Sequence, residues 1–423
     1  MRLKYILATA VLTAFGFTVQ NEQANAGRGE GTTNSPAACS QSGHWIGGPD
    51  GEVMSRQKLF QELSTRPLVL LGESHDNASH HRWQLHTLSA LLGRSKELVI
   101  GFEMFPREAQ PVLDQWVAGA LTEKEFLEKS DWRRVWGYDP DLYMPLFQFA
   151  RMHRVPMVAL NVDRKLVSRV AEEGWTAIPT EDRHGISDPV PAQPEYRRAL
   201  ADVYRTKLSM MAKGHFKGMA SMSKPPKADA APSLDDVMKK PDFDRFVDAQ
   251  LVWDRAMAEG LHDAKQKHPS AMVVGVMGSG HLTYRHGVPR QLNQLGTPGS
   301  AVLIPAQMET ACQLVQDGYA DALFTVEAGS DSQDEPKKRL RLGVRLSDDE
   351  GSILIQQVVP GSVAEATKLR EGDRIVRAAG VAITTTGALV DVIAKQVPGF
   401  WLPLIVERSG ETLELVAKFP AST

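Results

Sequence analysis

From Arg66 onward, short uninterrupted apolar runs recur along the chain: Leu68–Leu71, Leu98–Phe102, Val155–Leu160, Ala271–Val276 and Ala301–Ile304, each closed by polar or turn residues. A strand with one wet face alternates apolar and polar positions. A run that is apolar throughout predicts a strand buried on both faces, as in a parallel sheet. Between the first two runs, Leu85, Leu88 and Leu92 recur at spacings of three and four and are followed by Gly93, which predicts a helix and its end. Strand and helix alternating in this order predict an α/β fold with a mostly parallel sheet flanked by helices. The periodicity lapses between Met210 and Lys240, where Met, Lys, Pro, Ala and Ser dominate, so an insertion is expected at about residues 206–241.

The ends of the chain carry different patterns. Arg2 and Lys4, the uncharged apolar stretch Tyr5–Val19 and the triplet Ala24-Asn25-Ala26 have the form of a secretory signal peptide over residues 1–26. The stretch is shorter than the roughly 20 residues of a spanning helix, so a periplasmic or otherwise extracytoplasmic chain is expected. Residues 27–52, rich in small polar residues, are expected as a flexible leader before an α/β domain over 53–326. A charged linker at 327–337 leads to a small β-rich domain over 338–420, with strands at Leu340–Leu346, Ile353–Val359, Arg374–Ala378 and Leu402–Val406, a short helix from about Ala364 and another near Ala388–Lys395. A length of 423 residues fits two hydrophobic cores better than one.

Composition narrows the partners. A formal charge of -3, with no basic run interleaved with aromatics, argues against a nucleic-acid partner. The two cysteines, Cys39 and Cys312, are open to pairing in an oxidising compartment or to remaining apart. Cys39 lies too far beyond the apolar stretch for a lipid anchor to be the expected outcome.

In parallel sheets, ligands bind beyond the carboxyl ends of the strands. Here the first run ends in Gly72-Glu73-Ser74-His75, the second in Glu103-Met104-Phe105, the third in Asn161 with Asp163 and Arg164 behind it, and the fourth in Gly278-Ser279-Gly280-His281. Glu73, His75, Glu103, Asn161 and His281 are therefore expected at one edge. His75, His281 and Glu103 offer the donor types of a divalent-metal site, with Glu73 left to act as general base. The competing reading takes each as an ordinary polar residue at a strand end. Neither a Gly-x-Ser-x-Gly elbow nor a His-Glu-x-x-His helix is present.

Glu73-Ser74-His75, Gly101-Phe102-Glu103-Met104-Phe105, Ala159-Leu160-Asn161, Trp253-Asp254 with Met257-Ala258, and Gly278-Ser279-Gly280-His281 occur in that order. Together they resemble the motifs of the ChaN family, within the superfamily of Tiki, TraB and erythromycin-esterase proteins, over roughly residues 53–326. The resemblance implies an extracytoplasmic haem-binding protein linked to iron uptake, with members that dimerise around two stacked haems ligated through tyrosine. Tyr138 and Tyr143, in an aromatic-rich stretch from Trp132, are the candidate haem ligands it implies, or else they pack the helical layer. His215, Met210, Met211, Met219 and Met222 are alternative ligands from the insertion. Family members usually carry a lipoprotein signal and no further domain, and this chain departs on both counts.

Leu342-Gly343-Val344, Val359-Pro360-Gly361-Ser362-Val363-Ala364 and Leu369-Arg370-Glu371-Gly372-Asp373-Arg374-Ile375-Val376 resemble a bacterial PDZ domain. That implies capture of a protein's C-terminal peptide tail by Arg341, Leu342, Gly343, Val344 and Arg345 through β-augmentation, or else packing against the first domain. Two functions stand open at this point. One is a haem-binding protein with a peptide-recognition module; the other is a metal-dependent hydrolase or peptidase using Glu73, His75, Glu103 and His281.

Overall fold

The computed structural model describes residues 42–48, 51–95, 97–212, 232–327, 340–349, 352–394, 396 and 399–420. The chain forms two compact units that divide between residues 331 and 332. The expected signal peptide, most of the expected leader and all of the linker but Glu327 lie outside the described residues. Among the described residues, no helix is long and apolar enough to cross a membrane.

The first unit is an eight-stranded sheet. Its strands are β1 (Trp45–Gly47), β2 (Glu52–Val53), β3 (Leu68–Leu71), β4 (Leu98–Pro106), β5 (Met157–Asn161), β6 (Met272–Val276), β7 (Ala301–Gln307) and β8 (Ala322–Val326), in the order β2-β1-β8-β7-β3-β6-β4-β5. From β8 to β5 all neighbours are parallel; only β1 and β2 run antiparallel. The five expected runs are thus all strands of a mostly parallel sheet. Their continuous apolarity has a direct cause: Val69 and Leu71 enter the core on one face, while Leu68 and Leu70 enter the core on the other. Helices Arg56–Leu63, Ala78–Leu92, Gln110–Val117 and Pro140–Met152 cover the first face. Helices Arg164–Glu173 and Pro241–Lys267 cover the second.

Two expectations need correction. The stretch expected as a flexible leader over 27–52 contains β1, whose Trp45 packs against Phe60, Trp83 and Phe324, and whose Ile46 is fully buried. This strand pairs with β8, and His44 N–H donates to Thr325 Oγ1 across 281 residues of chain. The expected insertion is also narrower than 206–241. Helix Pro194–Ala212 runs into it from one side and helix Leu234–Met238 folds on the other. Tyr196, Leu200 and Tyr204, at helical spacing, pack against Phe243, Phe246 and Val247 of the long helix, which holds this region to the domain. His215, Met219 and Met222 lie outside the described residues. Cys312 Sγ lies 3.7 Å from the Gly51 carbonyl and is not a free thiol; Cys39, whose pairing with it the sequence left open, lies outside the described residues.

The second unit is antiparallel: β9 (Val344–Asp349), β10 (Ser352–Val358), β11 (Arg374–Ala378), β12 (Val381–Ala382), β13 (Trp401–Arg408) and β14 (Glu411–Lys418), in the order β14-β13-β11-β10-β9 with β12 on β11. Helices Val363–Ala366 and Thr386–Ala394 close a core of Leu342, Ile353, Ile355, Ile375, Leu389, Leu404 and Val406.

Candidate functional site

Parallel strands β3, β4, β5 and β6 end together, so Glu73, Glu103, Asn161 and the loop carrying His281 meet at one edge of the sheet. Glu73 follows β3 and is 2% exposed. Its carboxylate accepts from His75 Nδ1 at 2.7 Å and from the Tyr143 hydroxyl at 3.1 Å, and His81 Nδ1, hydrogen-bonded to Gln84 Oε1, stands 3.0 Å from it as a charge neighbour. Burial alone pushes a carboxyl up, but the two imidazoles and these hydrogen bonds outweigh it and hold Glu73 below the ordinary range. Burial likewise opposes charge on His75, and the Glu73 carboxylate overcomes it, so His75 titrates above an ordinary histidine. His80, one residue before His81 in helix Ala78–Leu92, works the other way. It accepts the Ser74 N–H on Nδ1 at 2.9 Å, and burial brings it down to about 4.

Glu103, 1% exposed, accepts the Gly278 N–H on Oε2 at 2.6 Å. Its Oε1 is buried and has no hydrogen-bond partner among the described residues; His281 Nε2 lies 3.6 Å away, beyond hydrogen-bond reach. His281 is oriented from behind, with Nδ1 donating at 2.6 Å to Asp254, which also accepts from the Tyr196 hydroxyl at 2.8 Å. Burial disfavours the His281 imidazolium, but Asp254 and Glu103 reverse the balance and raise its pKa. Only glycine fits at 278, because a Cβ there would stand 2.8 Å from His75 Cε1.

Glu73, His75, Glu103 and His281 are therefore brought together as expected. Asn161 serves the scaffold, since its Nδ2 donates to the Glu103 carbonyl and its Oδ1 accepts the Val162 N–H. Arg164 donates to the Trp136 carbonyl at 3.4 Å, and burial draws its pKa down to about 10. Among the described residues no group of three or more His, Cys, Asp or Glu is arranged to hold a metal ion, so the expected metal triad of His75, Glu103 and His281 gains no support here. Both imidazoles hold Nδ1 against carboxylates, which fixes their orientation, and Glu103 gives one oxygen to a backbone N–H. Asp254, His80 and His81 complete the constellation from helices, and spacing along the strands gave no sign of them.

His75, Glu103 and His281 open onto a cavity of about 40 Å³ whose other walls include Leu200, Lys207, Phe246 and Trp253. The two expected haem tyrosines stand differently. Tyr143 is fully buried, and its hydroxyl donates to Glu73 and to the His75 carbonyl. Tyr138 is half-buried beside His75, with ring centroids 5.3 Å apart. Burial, followed by Asp76, Glu73 and Glu103, pushes the Tyr138 phenol well up, against its phenolate form. Tyr284, which sequence reasoning passed over, is 39% exposed and lies three residues beyond His281. It adopts a left-handed φ of 53°, its N–H donates to the Tyr319 carbonyl, and its ring lies 5.6 Å from that of His286. Partial burial and Asp317 raise its phenol.

In the second unit, Leu342 and Gly343 turn their carbonyls inward to the N–H groups of Ala364 and Val359. Gly343 has φ of 83°, and a Cβ there would stand 2.2 Å from Ser362 Cβ. Among the described residues, the N–H groups of Leu342 and Gly343 have no hydrogen-bond partner. They lead into β9, which is an edge of the sheet. Asp348 on β9 accepts from the N–H and hydroxyl of Thr386, pinning helix Thr386–Ala394 beside that edge. Arg341 and Arg345 are exposed and Leu342 is buried.

No curated protein matches the chain significantly. Among solved structures, cofacial haem binding to ChaN of Campylobacter jejuni is similar at 17% identity, covering 66% of this chain and 95% of that one, with a TM-score of 0.45. An HtrA-type protease, AlgW with a decapeptide, is similar at 20% identity over 20% of this chain and 30% of its own, with a TM-score of 0.19. The HtrA3 PDZ domain bound to a phage-derived ligand is similar at 23% identity over 19% of this chain and 83% of its own, with a TM-score of 0.17. Residues 341–418 match the PDZ-domain family model. Residues 59–292, more than half of the chain, match the model of the family described as haem-binding uptake, Tiki superfamily, ChaN, and the protein belongs to that family.

Proposed function

We propose that this protein is exported, binds haem through its first unit in iron or haem handling, and uses its PDZ unit to hold the C-terminal tail of a partner protein. The observation that carries the haem reading is a phenol at the surface of a domain of this family. A tyrosine phenolate is an axial ligand of ferric haem. Tyr284 is the tyrosine exposed at the strand-end edge, beside an imidazole, whereas Tyr143 is fully buried and engaged with Glu73. Tyr284 would hold the iron, which supplies the ligand-binding and redox chemistry of the group. For the PDZ unit, the unpartnered N–H groups of Leu342 and Gly343 suit a terminal carboxylate, and the open edge of β9 suits an added strand.

The test is a haemin titration of the full mature chain followed by absorbance, with Tyr284→Phe, Tyr138→Phe and Tyr143→Phe in parallel. Near-stoichiometric binding whose ferric spectrum changes in Tyr284→Phe alone supports the assignment. A spectrum lost in Tyr138→Phe instead moves the ligand to that residue, and absence of saturable binding sinks the haem reading. A peptide with a free C-terminus should bind the chain, and its C-terminally amidated form should not.

A further inference from the structure

The cavity beside His281 is lined by two polar groups that lack a protein partner among the described residues. Glu103 Oε1 is one; it has no partner among the described residues. The other is Lys207, on helix Pro194–Ala212, which is 8% exposed. Its ammonium makes no hydrogen bond or ion pair among the described residues and only stands over the rings of Phe246 and Tyr204, at 5.5 and 6.0 Å. Leaving the buried acceptor of Glu103 unmet costs stability, and a ligand that met it could at the same time pair with the Lys207 ammonium on the same cavity wall.

The chemistry around each group says what that ligand carries. Because His281 Nδ1 donates to Asp254, the neutral ring presents an acceptor at Nε2. With the ring neutral, that nitrogen and Glu103 Oε1 are two acceptors 3.6 Å apart that a donor placed between them would satisfy together, whereas a protonated ring pairs with Glu103 itself. Lys207 offers only donors and a positive charge, so its complement is an anionic acceptor. Leu200, Val203, Phe246 and Trp253 are the apolar walls. A cavity of about 40 Å³ accommodates roughly three waters, which limits the ligand to a few heavy atoms.

We propose that this cavity binds a small aminocarboxylate, its ammonium on Glu103 Oε1 and His281 Nε2 and its carboxylate on Lys207. The site is separate from Tyr284 and does not rest on the haem reading.

The test uses the full mature chain at pH 8, where the imidazoles are more fully neutral, with calorimetry and ligand-observed NMR. The probes are L-alanine, ethylamine, which lacks the carboxylate, and propionate, which lacks the amine. L-Alanine is expected to bind at one site, at least about tenfold more tightly than either half-probe. Lys207→Met should weaken L-alanine at least tenfold and leave ethylamine unchanged, a pattern that general unfolding cannot produce. Glu103→Gln should weaken L-alanine and ethylamine together, and Tyr284→Phe should change neither. Equal binding of L-alanine by the Lys207→Met variant, or no saturable binding of any probe, would overturn the proposal.

Discussion

Replacing His80 by Gln removes one proton-binding group while keeping an acceptor for the Ser74 N–H. His80 is 9% exposed and accepts that N–H on Nδ1, a role open only to a ring nitrogen that carries no proton. Burial lowers its pKa to about 4, with Glu73 pulling it up and His81 pushing it further down. An unfolded chain restores the ordinary value of about 6.5. Between these two values the unfolded state binds a proton that the folded state refuses. The contribution of neutral His80 is therefore complete above pH 6.5 and is lost as pH falls towards 4. The displacement from 6.5 to about 4 amounts to about 3.5 kcal/mol at roughly 1.4 kcal/mol per unit, of which about 3 kcal/mol is lost by pH 4, where the folded-state group is half protonated. Urea unfolding followed by tryptophan fluorescence reports the first unit, which holds every tryptophan except Trp401. Between pH 7 and pH 4 the natural chain should lose about 3 kcal/mol more than His80→Gln. Equal losses in the two proteins would refute the reasoning, as would a histidine NMR titration placing His80 near 6.5.

Two further perturbations bear on the units separately. Gly343→Ala puts a Cβ 2.2 Å from Ser362 Cβ at a φ of 83°, so it should weaken tail-peptide binding at least about tenfold by fluorescence anisotropy, with a cost of about 1–3 kcal/mol to its unit; unchanged affinity would show that this loop does not receive the carboxylate. Asp254→Asn removes the charge that favours protonated His281, so the NMR-observed titration of His281 should fall by about one unit or more; a titration that stays in place would show that Asp254 only packs.

The centre of the sheet was legible because burial on both faces leaves a run such as Leu68–Leu71 with no polar position to obscure it. β1 was not, since three residues make no period, and the strand is specified by Trp45 packing on Phe60, Trp83 and Phe324. At the site, Glu73, His75, Glu103 and His281 stood out because polar residues directly follow apolar runs. Asp254 and His81 sit inside helices, where only the rotation of the helix decides whether a polar residue faces water or a neighbouring imidazole. Tyr143 shows the same limit. Its hydroxyl meets Glu73 across 70 residues, and no local pattern distinguishes that role from a ligand's.

The pairing of β1 with β8 also governs when the first unit can finish folding. Its first strand must wait for its last, because the His44–Thr325 bond spans 281 residues. A contact that distant forms late, since the whole intervening loop has to be closed. A polypeptide emerging in order from a ribosome or a translocation channel would therefore present the strand Trp45–Gly47 unpaired until Ala322–Val326 has followed it. The sheet thus closes only once nearly the whole of the first unit has been synthesised.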